Sequence, residues 1–172
     1  MVTRETERLI LRPPTAQDID PFVEIHEDPE VVRFLSGIGP ATGRIASWRL
    51  LALLIGHWQL RGYGQWAVVE KATGDLIGRV GLWYPEGWPG IELGWVIKRS
   101  RWDNGFATEA ARAAVDFAFK EIGADRIISM IQPYNPRSIR VALKIGETYA
   151  ETQQFNGQEL QVYAMTNPSK AT

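Results

Sequence analysis

The chain of 172 residues has no cysteine, which excludes disulfides, thiolate-bound metal and a cysteine nucleophile together. Histidine is almost as scarce. His26 lies in a His-Glu-Asp-Pro-Glu stretch near a helix end and His57 in an apolar helical stretch. Imidazoles placed in this way read as structural or surface groups, so neither a metal site nor a serine–histidine triad is expected. No apolar run reaches the length of a bilayer span. The opening VTRETERLILR is charged and then strand-like, unlike a signal peptide. These absences predict a cytoplasmic protein with no membrane attachment. A net charge of −1 supplies no global field for nucleic acid, which is not expected as a partner. Repeats and low-complexity segments are also missing. The 45% hydrophobic content suits one compact domain over residues 1–172.

The patterning predicts alternating strands and helices. Leu9 to Arg12 reads as a short strand closed by Pro13-Pro14, and Thr15 as the cap of a helix to Glu27, with Asp18 at the capping-box position. Residues 29–35 add a further helical turn before the glycine-rich connector SGIGPATG. Arg44 to Leu60 reads as a long amphipathic helix ended by Gly62 and Gly64, with Trp48 and Trp58 in the core. Gln65 to Glu70 and Leu76 to Tyr84 form a strand pair around Thr73-Gly74-Asp75, and residues 91–97 a third strand. The helix from Phe106 to Glu121 packs through its alanines. A strand over 126–132, a short helix over 138–145 ended by Gly146, and a hairpin turning at Asn156-Gly157 complete the chain. The order β-α-α-βββ-α-β-α-ββ implies an α/β chain with a mixed sheet of about seven strands flanked by about four helices.

The most informative stretch is ELGWVIKRSRWDNGFATEAAR, residues 92–112, where a two-faced strand runs through a basic turn into an alanine-rich helix. Asp103-Asn104-Gly105 supplies turn and capping residues. A helix start carries unpaired N–H groups and the positive end of the helix dipole, and Gly105 lets the main chain approach an anion closely. This junction can hold a phosphate. Asn135-Pro136 has the form of a helix N-cap followed by proline at the first helical position, with Ser138 as a second capping partner.

The element order, with WDNGFATEA and NPRSIRVALKIG, resembles the GNAT superfamily of acetyl-coenzyme A-dependent N-acetyltransferases. TERLILRPPTAQDI, IELGWVI and the Asn-x-x-Ser segment extend the similarity to the branch of the RimJ/RimL ribosomal-protein N-terminal acetyltransferases, over nearly the whole chain. The superfamily's pyrophosphate loop, Gln/Arg-x-x-Gly-x-Gly/Ala, falls on Trp102-Asp103-Asn104-Gly105-Phe106-Ala107. Gly105 and Ala107 match, and Trp102 stands where the pattern has Gln or Arg.

The resemblance implies a GNAT fold, mostly antiparallel in its sheet, and acetyl-CoA as co-substrate with no metal. It places the coenzyme against Trp102, Asp103, Asn104, Gly105, Phe106, Ala107 and Thr108, with the pantetheine arm along the main chain of Trp95, Val96 and Ile97 and beside Asn135. Arg137, Arg140 and Lys144 are candidates for the 3′-phosphate, with solvated surface charge as the alternative. An amine is mostly protonated at neutral pH, so a base must take its proton, and Glu92 on the central strand is the candidate; an ordinary paired strand glutamate is the other reading. Ser138 is the candidate acid for the departing thiolate, because Ala142 stands where many relatives carry tyrosine. The expected reaction is direct attack of a primary amine on the thioester, the acceptor being a protein N-terminus or a small amine. It would enter between residues 36–43, 84–90 and 155–159, with Trp83 and Trp88 as candidate walls. A polyamine or aminoglycoside acceptor, and a non-catalytic acyl-CoA-binding module, are the alternatives. A homodimer is left open.

Overall fold

The structure is a computed structural model that describes residues 2–35 and 42–170. The first sheet residues are β1 (Arg4–Glu5) and β2 (Leu9–Arg12), followed by α1 (Ile19–Glu27), the short α2 (Pro29–Val32) and α3 (Arg44–Arg61). Three strands come next: β3 (Gln65–Glu70), β4 (Leu76–Trp83) and β5 (Glu92–Ile97). Then follow α4 (Phe106–Lys120), β6 (Arg126–Ile131), α5 (Pro136–Ile145), β7 (Thr148–Phe155) and β8 (Gln158–Thr166). Among the described residues the strands make one eight-stranded sheet, ordered β1-β2-β3-β4-β5-β6-β8-β7. The expected order holds, with β1 added at the edge; its two residues are too few to show a period. The short helix α5 starts at Pro136 rather than Ser138, as its cap sequence implies.

Every neighbouring pair is antiparallel except β5 and β6, which are parallel and joined through α4. On one face, α4 covers Leu9, Leu11, Trp66, Val80, Leu82 and Leu93 with a stripe of alanines. Ala110, Ala111, Ala114 and Ala118 are all 0% exposed, so small side chains let the helix approach the strands closely. On the other face, α1 and α3 bring Phe22, Ile25, Leu50, Leu51 and Leu54 against Ala67, Trp83 and Val96. The two faces therefore hold separate apolar layers, and β4, buried along its whole length, lies between them.

The α3 helix departs from the expected amphipathic pattern. Its buried stripe is Ser47, Leu50, Leu51, Leu54, His57 and Trp58. Trp48 lies one residue outside that stripe and is 61% exposed, not in the core, along with Ile45, Leu53 and Leu60. Composition alone cannot identify the stripe of α3, because apolar residues occupy both of its faces. The final hairpin turns at Asn156 and Gly157, with φ of 49° and 76°, the paired positive angles of the favoured two-residue turn. No helix among the described residues is long and apolar enough to cross a membrane.

Candidate active site

The two parallel strands part almost where they meet. β5 and β6 share one register pair, Glu92 with Ile128, beside which the Ile128 N–H bonds the Ile91 carbonyl at 2.9 Å. Beyond it the ladder is replaced by a side chain, as Ser129 Oγ donates to the Leu93 carbonyl at 2.8 Å. From there the edge of β5 faces a cavity of about 680 Å³. The Lys98 N–H bonds the Ile77 carbonyl of β4 at 2.7 Å. Antiparallel alternation therefore turns Val96 toward β4 and turns the amides of Trp95 and Ile97 toward the gap. The Ile97 carbonyl is already taken by the indole N–H of Trp102 at 2.7 Å. Of the three main-chain positions expected to pair with an extended ligand, Trp95 is the most open.

The same cavity ends at the start of α4. Gly105 occupies the N-cap position with φ of 80°, and no side chain caps the helix. Asp103 and Asn104 thus do not cap it, contrary to the sequence reading. Asn104 Nδ2 donates to the Trp102 carbonyl at 2.8 Å, and Asp103 turns outward, 69% exposed in its side chain and 3.7 Å from Arg137. Its charge is partly answered there, and Arg137 also lies over the Trp102 ring at 4.4 Å. The first intrahelical bond runs from the Glu109 N–H to the Gly105 carbonyl at 3.0 Å, so the amides of Phe106, Ala107 and Thr108 precede it without main-chain acceptors. Such an end suits a diphosphate. Arg8, unanticipated from sequence, fixes this turn: it donates to the Asn104 carbonyl at 2.9 Å and pairs with Glu109 at 2.6 Å.

On the opposite wall, Asn135 caps α5 by accepting the Ser138 N–H at 3.1 Å. That bond orients the amide so that Nδ2 donates to Ser138 Oγ at 3.0 Å, while Trp95 Nε1 donates to the same oxygen at 3.2 Å. A hydroxyl has two lone pairs and one proton. Both lone pairs are used here, which leaves the proton of Ser138 uncommitted. Arg137, Arg140 and Lys144 line this end of the cavity. Ala142, 0% exposed, is packed with Ile131 and Tyr163, so nothing at that position reaches the cavity.

Glu92 lines the cavity on the face shared with Gly94 and Arg79. Burial pushes its carboxyl up to about 7, against the lowering effects of the Trp88 indole N–H at 2.7 Å, the Arg79 charge and the Met130 main chain. A carboxylate with that affinity is half-ionised near neutrality, as a base requires. Trp83 is 3% exposed on the cavity wall, whereas Trp88 packs edge-on against Phe155 and anchors Glu92. Of the three expected acceptor-entry segments, residues 36–41 lie outside the described residues.

Two further titrating groups carry little sequence signal. Glu147, 1% exposed, follows the helix-ending Gly146, at a position that usually holds an apolar residue. Its Oε1 lies 3.0 Å from Ser129 Oγ. Burial raises the Glu147 carboxyl to about 8, against the lowering effect of the Ser129 hydroxyl and with Glu92 adding to the rise. Arg79, 5% exposed, interrupts the apolar run LIGRVGLW, and that interruption is the visible clue. Both histidines are neutral bridges, as expected of structural groups. His26 Nδ1 donates to the Phe22 carbonyl at 2.8 Å, and His57 links the Tyr63 carbonyl to the Tyr84 N–H at 2.9 and 3.0 Å. Among the described residues no cluster of three or more ligating side chains could hold a metal.

Comparison with known proteins identifies the family of the chain. Residues 8–148 match the family described as Acetyltransferase (GNAT) domain. YkkB of Bacillus subtilis (strain 168), an uncharacterized protein, is 33% identical over 150 residues, covering 83% of this chain and 82% of its own. The uncharacterized N-acetyltransferase p20 of Bacillus licheniformis is 31% identical over 143 residues, covering 82% of this chain and 79% of its own. A crystal structure of the acetyltransferase from Agrobacterium tumefaciens str. C58 superposes with a TM-score of 0.83 at 29% identity, covering 96% of this chain and 94% of that one. With its mixed sheet and parted central strands, the chain belongs to the GNAT family and is an N-acetyltransferase.

Proposed function

We propose that residues 1–172 act as one domain that moves the acetyl group of acetyl-CoA to a primary amine by direct attack, in the manner of the RimJ/RimL-like branch. The observation that carries this reading is the fork between β5 and β6: it opens the Trp95 edge onto the cavity that Glu92, Ser138 and the uncapped start of α4 also border. The residues fit the coenzyme. Free amides from Gly105 to Thr108 face its diphosphate, with Trp102, Asp103 and Asn104 shaping the turn, and the pantetheine arm lies along Trp95 to Ile97 and past Asn135 as an added strand. GNAT acetyltransferases draw their acetyl group from this thioester. Glu92 takes the proton of the amine as its nitrogen attacks the carbonyl carbon. The new C–N bond forms, the C–S bond breaks, and the departing sulfur meets the uncommitted proton of Ser138.

Calorimetry with acetyl-CoA, followed by coenzyme release on addition of amines, tests the reading. Micromolar binding and amine-dependent release are expected. Binding without release across peptides, polyamines, aminoglycosides and amino acids would replace it with a coenzyme-binding module, and no binding would remove both.

A further inference from the structure

Arg79 is a buried cation without a counter-ion of its own. It lines the cavity, its Nε donates to His26 Nε2 at 3.4 Å, and its Nη1 donates to Gln65 Oε1. Both partners are uncharged, since burial foremost holds the His26 ring down to about 4. Burial also lowers Arg79, to about 10, which still leaves it cationic at neutral pH. Among the described residues no carboxylate forms an ion pair with it, and Glu92 acts on it only through space. Holding a guanidinium out of water without a partner is costly, and a ligand that brings the opposite charge removes that cost.

A second unmatched donor stands at the Glu92 end, where Trp83 and Glu92 are register partners. The indole N–H of Trp83 is buried and has no acceptor. Between Arg79 and Glu92 neither β4 nor β5 projects a side chain on this face, because Gly81 and Gly94 are register partners. Only the side chain of Gln65 crosses there: a Cβ at Gly94 would stand 2.9 Å from Gln65 Nε2. The cavity thus offers an acidic group at one end of this strip and an unpaired cation at the other, with the Gln65 amide between them.

We propose, on the basis of the acetyl-transfer reading above, that the acceptor is a zwitterion of free amino-acid type, seated with its ammonium at Glu92 and its carboxylate at Arg79. A purely cationic amine gains Glu92 but is repelled by Arg79. The N-terminus of a peptide presents a neutral amide where Arg79 needs an anion, and a dianionic phosphate is repelled by Glu92. Val31, Phe34 and Leu35 line the same cavity and suit an apolar side chain.

The test compares free L-amino acids, leucine foremost, with their amides and with isoamylamine in a coenzyme-release assay. A second readout, independent of turnover, is calorimetric binding of N-acetyl-L-leucine and N-acetyl-L-leucinamide in the presence of coenzyme A. The acid is expected to exceed its amide by on the order of 100-fold in kcat/KM and in binding. Arg79→Met should erase that gap, chiefly by raising KM for the acid with KM for acetyl-CoA unchanged, and Arg79→Lys should restore part of it. Amides, peptides or simple amines used as well as the acids would overturn the carboxylate site and leave acetyl transfer standing. Equal binding of N-acetyl-leucine and its amide would overturn it too. Absence of release with every amine would instead remove the acetyl-transfer reading on which the proposal rests.

Discussion

Glu92 draws its chemistry from position: one oxygen is held by Trp88, the surroundings disfavour its charge, and the opening of the fork begins beside it. Activity should therefore rise with pH through about 7. Glu92→Gln should abolish that limb and lower kcat on the order of 10²-fold at pH 8, with coenzyme affinity unchanged; a pH–rate profile checks this. Ser138→Ala should lower kcat with little effect on KM for acetyl-CoA, because Asn135 and Trp95 keep their places; steady-state kinetics on a poor and a good thiol leaving group distinguishes loss of the proton donor from misplacement. At Gly105, with φ of 80° and its amide at the helix start, Gly105→Asp adds both backbone strain and a repelling charge. Calorimetry should show coenzyme affinity reduced by about 100-fold or more, roughly 2.7 kcal/mol, with the circular dichroism of the fold preserved.

The elements were legible in the sequence to different degrees, for physical reasons. β5 declares itself because one of its faces packs on α4 and the other borders the cavity, which imposes a period of two on residues 91–97. The junction into α4 is equally visible, since Gly105 is required where φ turns positive. The reading failed at the detail of Asp103 and Asn104, because turn-forming residues are also capping residues and only geometry separates the two. Trp48 misleads for a related reason: α3 carries apolar groups on both faces. Of the candidate site residues, Glu92, Ser138, Asn135 and the 102–108 turn apart from Asn104 border one cavity, whereas Arg79, Arg8 and Glu147 act through tertiary neighbours that no local pattern records. The close approach of α4 makes a definite prediction at this scale. Ala114→Leu should destabilise the fold by about 1–3 kcal/mol through overpacking, measured by urea denaturation, whereas Asp116→Ala on the exposed side should cost less than about 0.5 kcal/mol.

For the whole molecule, buried acids and buried imidazole set opposing pH responses. Glu92 and Glu147 are raised from 4.5 to about 7 and about 8. The stability gained from their neutral forms is full below pH 4.5 and is lost as pH climbs through those values. His26 is depressed from 6.5 to about 4, so its contribution is full above 6.5 and is lost as pH falls toward 4. Between pH 6.5 and 8 only the acids still titrate, and thermal stability should decline across that window. Glu147→Gln keeps a hydrogen-bonding partner for Ser129 and removes the ionisation, so it should flatten the decline; each 1 kcal/mol recovered at pH 8.5 is worth roughly 2–4 °C in Tm for a chain of this size, readable by calorimetric scans.

The sparse join between β5 and β6 also bears on motion. With one register pair and one serine bridge between them, the β1-to-β5 half and the β6-β8-β7 half share few strand-to-strand bonds at their seam. A bound pantetheine, lying as a ninth strand, would splice the halves into one continuous surface. Deuterium uptake should then slow on both flanks of the seam, including amides that never touch the ligand.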